Sequence, residues 1–168
     1  TYYPINLFAA TKASFKTLAK HYHFMRKVSL TDVVIYDTYG EGDIRKKILN
    51  LFKENIKTNE ELQMSPGDQI MDISHIDDVA NGFINLIERV DSENINICQT
   101  LCASTGNRFK LKDLAKTFEQ LSNFKLNIIW GARDHRVGEV MNPIQFDQKF
   151  NICELVDIIP KLKIFINQ

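Results

Sequence analysis

Residues 28–36 read as an extended run that closes in Val33-Val34-Ile35 and opens at once into Asp37-Thr38-Tyr39-Gly40-Glu41-Gly42-Asp43. A β-branched run of this kind predicts a strand covered on both faces, and such strands belong to parallel sheets. The carboxyl ends of parallel strands carry ligand loops, and a glycine-bearing loop placed there predicts one. Taken alone, Tyr39-Gly40 reads as a plain turn. Ahead of the run, Leu7, Phe8, Phe15, Leu18, Ala19 and Tyr22 recur at helical spacing over residues 6–26, and Asn6 or Pro4 can start that helix. A helix that delivers the chain into a buried parallel strand predicts an α/β fold.

The remaining segments keep that alternation. Residues 44–55 predict a short helix with Ile48, Leu51 and Phe52 inward and Arg45, Lys46 and Lys47 in its first turn. Cations there oppose the helix dipole, so they mark either a nearby anion or a solvated basic face. Residues 62–64, the turn Ser65-Pro66-Gly67-Asp68 and residues 69–76 form a hairpin or a strand entering a helix. Asp77 or Asp78 then caps a helix whose apolar positions are Val79, Ala80, Phe83, Ile84 and Ile87. Ile95, Ile97, Leu101 and Ala103 alternate over a strand at 94–103, and Ser104-Thr105-Gly106-Asn107 turns the chain. Leu111, Leu114, Ala115, Phe118 and Leu121 predict a helix ending near Ser122-Asn123, followed by a short strand at 127–130. The tail from Phe146 is apolar and lysine-bearing, with Pro160 limiting helix, and takes no assigned function.

Composition narrows the function classes. Lys+Arg and Asp+Glu are 21 each, so no net basic field draws nucleic acid or an anionic membrane, and any anion site is local. No apolar run is long enough to span a bilayer. Cys98, Cys102 and Cys153 are odd in number and scattered, which predicts free thiols and a reducing cytoplasm rather than a disulfide framework. Cys98 and Cys102 share one face of their strand, yet Cys-x-x-x-Cys lacks a second ligand pair, so no metal site is expected. His21 and His23 cannot face the same way on a helix and read as solvated or capping residues.

Four ordered segments carry a resemblance. Pro4-Ile5-Asn6-Leu7-Phe8-Ala9-Ala10-Thr11-Lys12 resembles Pro-x-x-x-Tyr-Ala-x-Ser-Lys, and residues 37–43 resemble Asn-x-Tyr-Gly-Pro-Gly-Asp. Met71-Asp72-Ile73-Ser74-His75-Ile76-Asp77-Asp78-Val79 resembles Arg-Asp-x-x-Tyr-Val-x-Asp-Val. Residues 130–141 resemble Trp-Gly-x-Arg-x-x-Arg-x-x-Glu-Val-Met through Arg133, Arg136 and Glu139. These are motifs of the extended short-chain dehydrogenase/reductase superfamily, the NAD-dependent nucleotide-sugar epimerases and dehydratases. Ser65-Pro66-Gly67-Asp68-Gln69 resembles the subset similar to CDP-abequose and paratose synthases.

The resemblance implies the trailing part of a Rossmann fold plus a small C-terminal substrate domain. Residues 1–40 would end the cofactor domain, and 41–168 would be mainly substrate-binding, with 94–103 returning as a Rossmann strand. Lys12 would hold the nicotinamide ribose and lower the pKa of a catalytic Tyr, but Phe8 stands in the Tyr position and has no proton to exchange. Tyr2 and Tyr3 lack the one-turn relation to Lys12. Asp37 and Tyr39 would line both cofactor and substrate, with Arg45, Arg133 and Arg136 around the nucleotide sugar, CDP-linked for preference. A guanidinium suits a diphosphate because its planar fork meets two oxygens, and Glu139 could pair with either loop Arg. Away from the motif, the loop of Arg133, His135 and Arg136 is equally surface charge. Met71 replaces a frequent phosphate-binding Arg. The complete enzyme would use NAD or NADP, with none bound by this chain alone, since no Gly-x-x-Gly-x-x-Gly occurs in it. The 6–26 helix would form a homodimer interface. The implied function is the C-terminal, substrate-binding part of an epimerase, dehydratase or reductase. The alternative is a non-catalytic nucleotide-sugar binder, an interaction protein or a decayed remnant.

Overall fold

The structure, a computed structural model, describes residues 4–26, 28–93 and 97–168. Tyr2, Tyr3 and Ile95 lie outside the described residues. Helix α1 (Leu7–Phe24) leads into β1 (Leu30–Ile35), and β2 (Asp37–Tyr39) follows at once. The next elements are α2 (Ile48–Thr58), β3 (Leu62–Met64), β4 (Ile70–His75) and α3 (Ile76–Glu93). After them come β5 (Cys98–Ala103), β6 (Arg108–Lys110), α4 (Leu111–Ser122), β7 (Ile128–Trp130) and α5 (Ile159–Ile166).

Three small sheets organise these elements. β1 and β5 run parallel, Val33 beside Leu101 and Ile35 beside Ala103. β2 lies parallel to β4, which pairs antiparallel with β6, and β3 lies parallel to β7. The 62–76 segment is therefore not a hairpin: β3 and β4 join different sheets, and β4 runs directly into α3. Residues 37–39, expected as loop, are the short strand β2. Its partner β4 lies far along the chain, which local pattern does not reveal.

The caps explain the helix ends. Asn6 starts α1, its side chain accepting from the Ala9 amide at 2.8 Å. α2 begins at Ile48, so Arg45 and Lys46 precede it rather than occupying its first turn. The Asn50 amide donates to the carbonyls of Asp43 at 2.7 Å and Arg45 at 2.9 Å, which holds that stretch as loop. Asn59 and Asn123 close α2 and α4 in the left-handed region, which Asn tolerates. Pro160 starts α5 rather than limiting it, since the first turn needs no amide from it.

Phe52, Leu114, Phe118, Ile73 and Leu162 form the buried centre, drawn from α2, α4, β4 and α5. Phe52 and Phe118 meet edge to face with ring centroids 5.4 Å apart. A second cluster joins Val79, Ala103 and Cys153. The buried side of α3 is Val79, Gly82 and Leu86, while Ile84 and Ile87, expected inward, face outward. Gly82 decides this: a Cβ there would lie 2.9 Å from the Ile152 carbonyl oxygen, so the tail docks where no side chain intervenes. Cys98 is exposed at the start of β5, whereas Cys102 and Cys153 are buried, and burial pushes the Cys153 thiol up to about 11. α1 buries none of its residues and is tied to β1 by an ion pair between Lys16 and Asp32.

Phe118→Ala empties the centre of the core and removes the contact with Phe52. Chemical denaturation should show a loss of about 3–5 kcal/mol; a loss under about 1 kcal/mol would mean the site collapses around the gap.

Candidate functional site

A cleft of about 520 Å³ opens between the start of α2, β2, β3 and the 131–143 loop. Asp37, Lys46, Lys47, Met64, Met71, Arg133 and Arg136 line it. Lys47 is the N-cap of α2 and makes no side-chain cap bond, and no acidic residue sits in the first turn. A helix start without a side-chain cap keeps free amides and the positive end of the helix dipole, and Lys46, Lys47 and Ile48 at this start line the opening. The Lys47 ammonium donates to the Thr38 carbonyl at 3.2 Å, which holds it beside β2.

The opposite rim is set by backbone. Gly131 turns with φ of 78° and the Arg133 amide donates to the Met64 carbonyl at 3.2 Å, so the loop leaves β7 already pinned to β3. The Glu139 amide donates to the Arg136 carbonyl at 2.9 Å, and the Glu139 carboxylate accepts from the Arg136 amide at 3.1 Å. Glu139 thus closes the turn through main chain and pairs with neither guanidinium. Among the described residues, Arg133, Arg136 and Lys46 have no carboxylate within ion-pair distance. His135 faces Asp68 at 2.9 Å instead.

Asp37 lines the cleft together with two other acidic residues, Asp134 and Glu139. Asp37 itself is exposed at the start of β2. Desolvation raises it above the ordinary carboxylate range, Lys47 pulls it back, and Asp72 adds to the rise. Ser65 and Gln69 close the turn beneath, the Gln69 amide donating to Ser65 Oγ at 3.2 Å. Gly67 is required there, because a Cβ would lie 2.5 Å from the Trp130 ring.

The residues singled out from sequence separate into three places. Asp37, Arg133 and Arg136 share the cleft. Tyr39 and Arg45 border a neighbouring cavity of about 390 Å³. Tyr39 is a core residue, edge-on to His75 at 5.1 Å and Phe165 at 5.3 Å; its hydroxyl is buried without a partner, and burial raises the phenol pKa. Arg45 is held by Asp43 through a fork, Nε to Oδ1 at 2.7 Å and NH2 to Oδ2 at 2.8 Å. Phe8 and Lys12 lie on α1 and line neither cavity; the Lys12 ammonium stands 4.4 Å from the Phe8 ring centroid, where a phenol would otherwise stand. Lys46 and Lys47, which the sequence groups with Arg45 as marking a nearby anion or a solvated basic face, line the cleft, whereas Arg45 does not. The signal for them was an uncapped, acid-free helix start.

Comparison with known proteins follows the same lines. Residues 1–98 match the model of the NAD dependent epimerase/dehydratase family. The chain is 27% identical over 163 residues to CDP-abequose synthase of Yersinia pseudotuberculosis, covering 96% of this chain and 54% of that protein. Its fold is similar to UDP-glucuronic acid 4-epimerase from Bacillus cereus, solved with UDP-glucuronic acid and NAD, at a TM-score of 0.83 and 16% identity. That match covers 100% of this chain and 55% of the epimerase. It is also similar to UDP-N-acetylglucosamine 4-epimerase from Methanobrevibacter ruminantium, solved with UDP-N-acetylmuramic acid, at a TM-score of 0.78 and 15% identity over 99% of this chain and 54% of that one. The chain therefore spans about half the length of the relatives it matches. Its fold is α/β with parallel strand pairs, like that of these epimerases, and the chain belongs to the NAD dependent epimerase/dehydratase family.

Proposed function

We propose that this chain is the C-terminal, substrate-binding part of a nucleotide-sugar epimerase, dehydratase or reductase, and that the cleft holds the nucleoside diphosphate. The observation that carries this reading is the convergence of Arg133 and Arg136 with Lys46, Lys47 and the uncapped start of α2 on one opening. Two guanidinium groups without carboxylate partners can each take a phosphate oxygen pair, and the helix N-terminus adds amides that point at an anion. Lys46 and Lys47 supply cationic charge in a cleft where Met71 carries none. A CDP-linked sugar is favoured by the Ser65–Gln69 turn on the cleft floor and by the likeness to a CDP-abequose synthase. The relatives' nucleotides make UDP the natural competitor in any test.

The dinucleotide is a separate matter. The seven glycines of the chain form no Gly-x-x-Gly-x-x-Gly, and Lys12 matches the position that would hold the nicotinamide ribose. Among the described residues β1 pairs only with β5, and its other edge and the unburied α1 fit a cofactor-binding half placed beside them, while Phe15, Leu18 and Tyr22 on α1 offer an apolar face for a homodimer. No helix among the described residues is long and apolar enough to cross a membrane. The free thiols support a reducing cytoplasm.

Phe8 favours a second reading, a nucleotide-sugar binder without turnover, because a phenyl ring cannot carry a proton. In a chain that includes a cofactor-binding half, Phe8→Tyr should raise turnover about a hundred- to ten-thousand-fold if the site is otherwise intact. Equal turnover of both forms would mean that a different group moves the proton.

Calorimetric titration with CDP and UDP tests the cleft. Arg136→Ala and Lys47→Ala should each weaken nucleotide binding about tenfold or more, whereas Arg45→Ala should change it less than about twofold. The reverse ranking would move the site to the neighbouring cavity.

Asp43 explains why Arg45 is excluded. The hydrogen bond from Arg45 holds the Asp43 carboxyl down at about 2, below the usual 3.8. Because the folded value is the lower, the pair's contribution to stability is complete above the unfolded value and is lost as pH falls through about 2. Carboxyl NMR should place the Asp43 titration there, and Arg45→Ala should return it toward the usual value. An unchanged titration in that variant would show that the fork does not form.

A further inference from the structure

The loop that carries Arg133 and Arg136 is pinned to β3 and β7 where it starts, but its exit is irregular chain. After Val140 the chain follows no strand; Asn142 and Ile144 are exposed and Pro143 is half-buried. Two contacts hold that exit from one side: the Ile70 amide donates to the Met141 carbonyl at 2.9 Å, and the Tyr36 hydroxyl donates to the Ile144 carbonyl. Between them reaches Arg108 of β6.

Arg108 is the cross-strand partner of Asp72 on β4. Asp72 is 2% exposed, so its charge needs compensation, and it receives Ser104 Oγ at 2.8 Å on one oxygen and Arg108 NH1 at 3.1 Å on the other. The second arm of the same guanidinium donates to Asn142 Oδ1 and to the Pro143 carbonyl, each at 2.8 Å. One rigid plane thus joins a buried carboxylate to the exit of the loop. Met71, next to Asp72 on the strand, lines the cleft, while Asp72 and Arg108 line a separate polar cavity of about 650 Å³ on the other side. An exit segment with a cleft on one side and an open cavity on the other has room to shift unless something fixes it.

We infer that Arg108 is a positioning residue of the cleft: anchored on Asp72, it fixes residues 142–143 and so sets where the loop presents Arg133 and Arg136. The binding consequence rests on the nucleotide reading proposed above; the mechanical one does not. Lysine cannot replace it. An ammonium can answer Asp72, but its single charged centre cannot hold the carboxylate and two oxygens of the loop in one plane.

The test uses Arg108→Lys and Asn142→Ala in the full chain, with two measurements. Limited trypsin digestion followed by mass spectrometry reads cleavage after Arg136 relative to cleavage after Lys125 on the far side of α4. Calorimetry with CDP reads the cleft. Arg108→Lys should keep a cooperative unfolding transition, raise the ratio of cleavage after Arg136 about tenfold, and weaken CDP binding by a similar factor. Asn142→Ala should move both in the same direction by less. A purely structural role would raise cleavage at both sites together and leave the ratio unchanged, which would overturn the inference. Should Arg108→Lys not fold, Asn142→Ala decides alone, since it leaves the Asp72–Arg108 pair in place; a wild-type ratio there overturns the inference. Should the wild-type chain bind no CDP, the nucleotide reading fails, and the cleavage ratio still decides the clamp.

Discussion

A carboxylate that is 2% exposed has to be matched, and the matching of Asp72 shapes much of this molecule. Ser104, just past the end of β5, and Arg108, on β6, converge on it from different elements. Ser104 Oγ also accepts the Gly106 amide at 3.0 Å, so the turn between β5 and β6 is built around the same charge. Asn151 ties the tail to this place, its amide donating to the Ser104 carbonyl at 2.6 Å and its oxygen accepting the Ser104 amide at 3.1 Å. Removing one member of such a set leaves a buried carboxylate only partly compensated, which costs more than the pair itself contributes.

The cleft works by the opposite device. Among the described residues Arg133, Arg136 and Lys46 have no carboxylate within ion-pair distance, and the start of α2 in the lining makes no side-chain cap bond, so positive charge is left unpaired on one opening. Asp37, Asp134 and Glu139 in the same lining moderate this potential, and Lys47 acts directly on Asp37. Arg45 shows the contrast within the same loop: as close in sequence as Lys46, it is already satisfied by Asp43. Sequence proximity put Arg45 beside a ligand, and hydrogen-bond geometry gives it to a neighbour.

Where one helix face decides everything, the fold was legible. α4 was readable because Leu111, Leu114, Ala115 and Phe118 all bury, and Asn123 takes the left-handed position at its end. α3 was misread in its facing, since the lack of a side chain at Gly82 admits the tail, and periodicity carries no record of what docks from 70 residues away. β2 hid inside a loop for a similar reason, its pairing with β4 being long-range. The late start of α2 comes from a side chain, Asn50, bonding backward to carbonyls, which competes with helix in a way residue type alone does not announce. Of the site, the loop arginines and Asp37 were legible from motif order. Arg108 was not, because its partners Asp72, Asn142 and Pro143 come together only in the fold.

The central claim is that one cleft, rather than the neighbouring cavity, receives the nucleotide diphosphate. Arginine Nε–Hε resonances report each guanidinium separately, so an NMR titration with CDP tests that claim most directly. Shifts concentrated at Arg133 and Arg136, with Arg45 unmoved in its fork with Asp43, are the result this account predicts. Shifts centred on Arg45, with Arg133 and Arg136 silent, would contradict it.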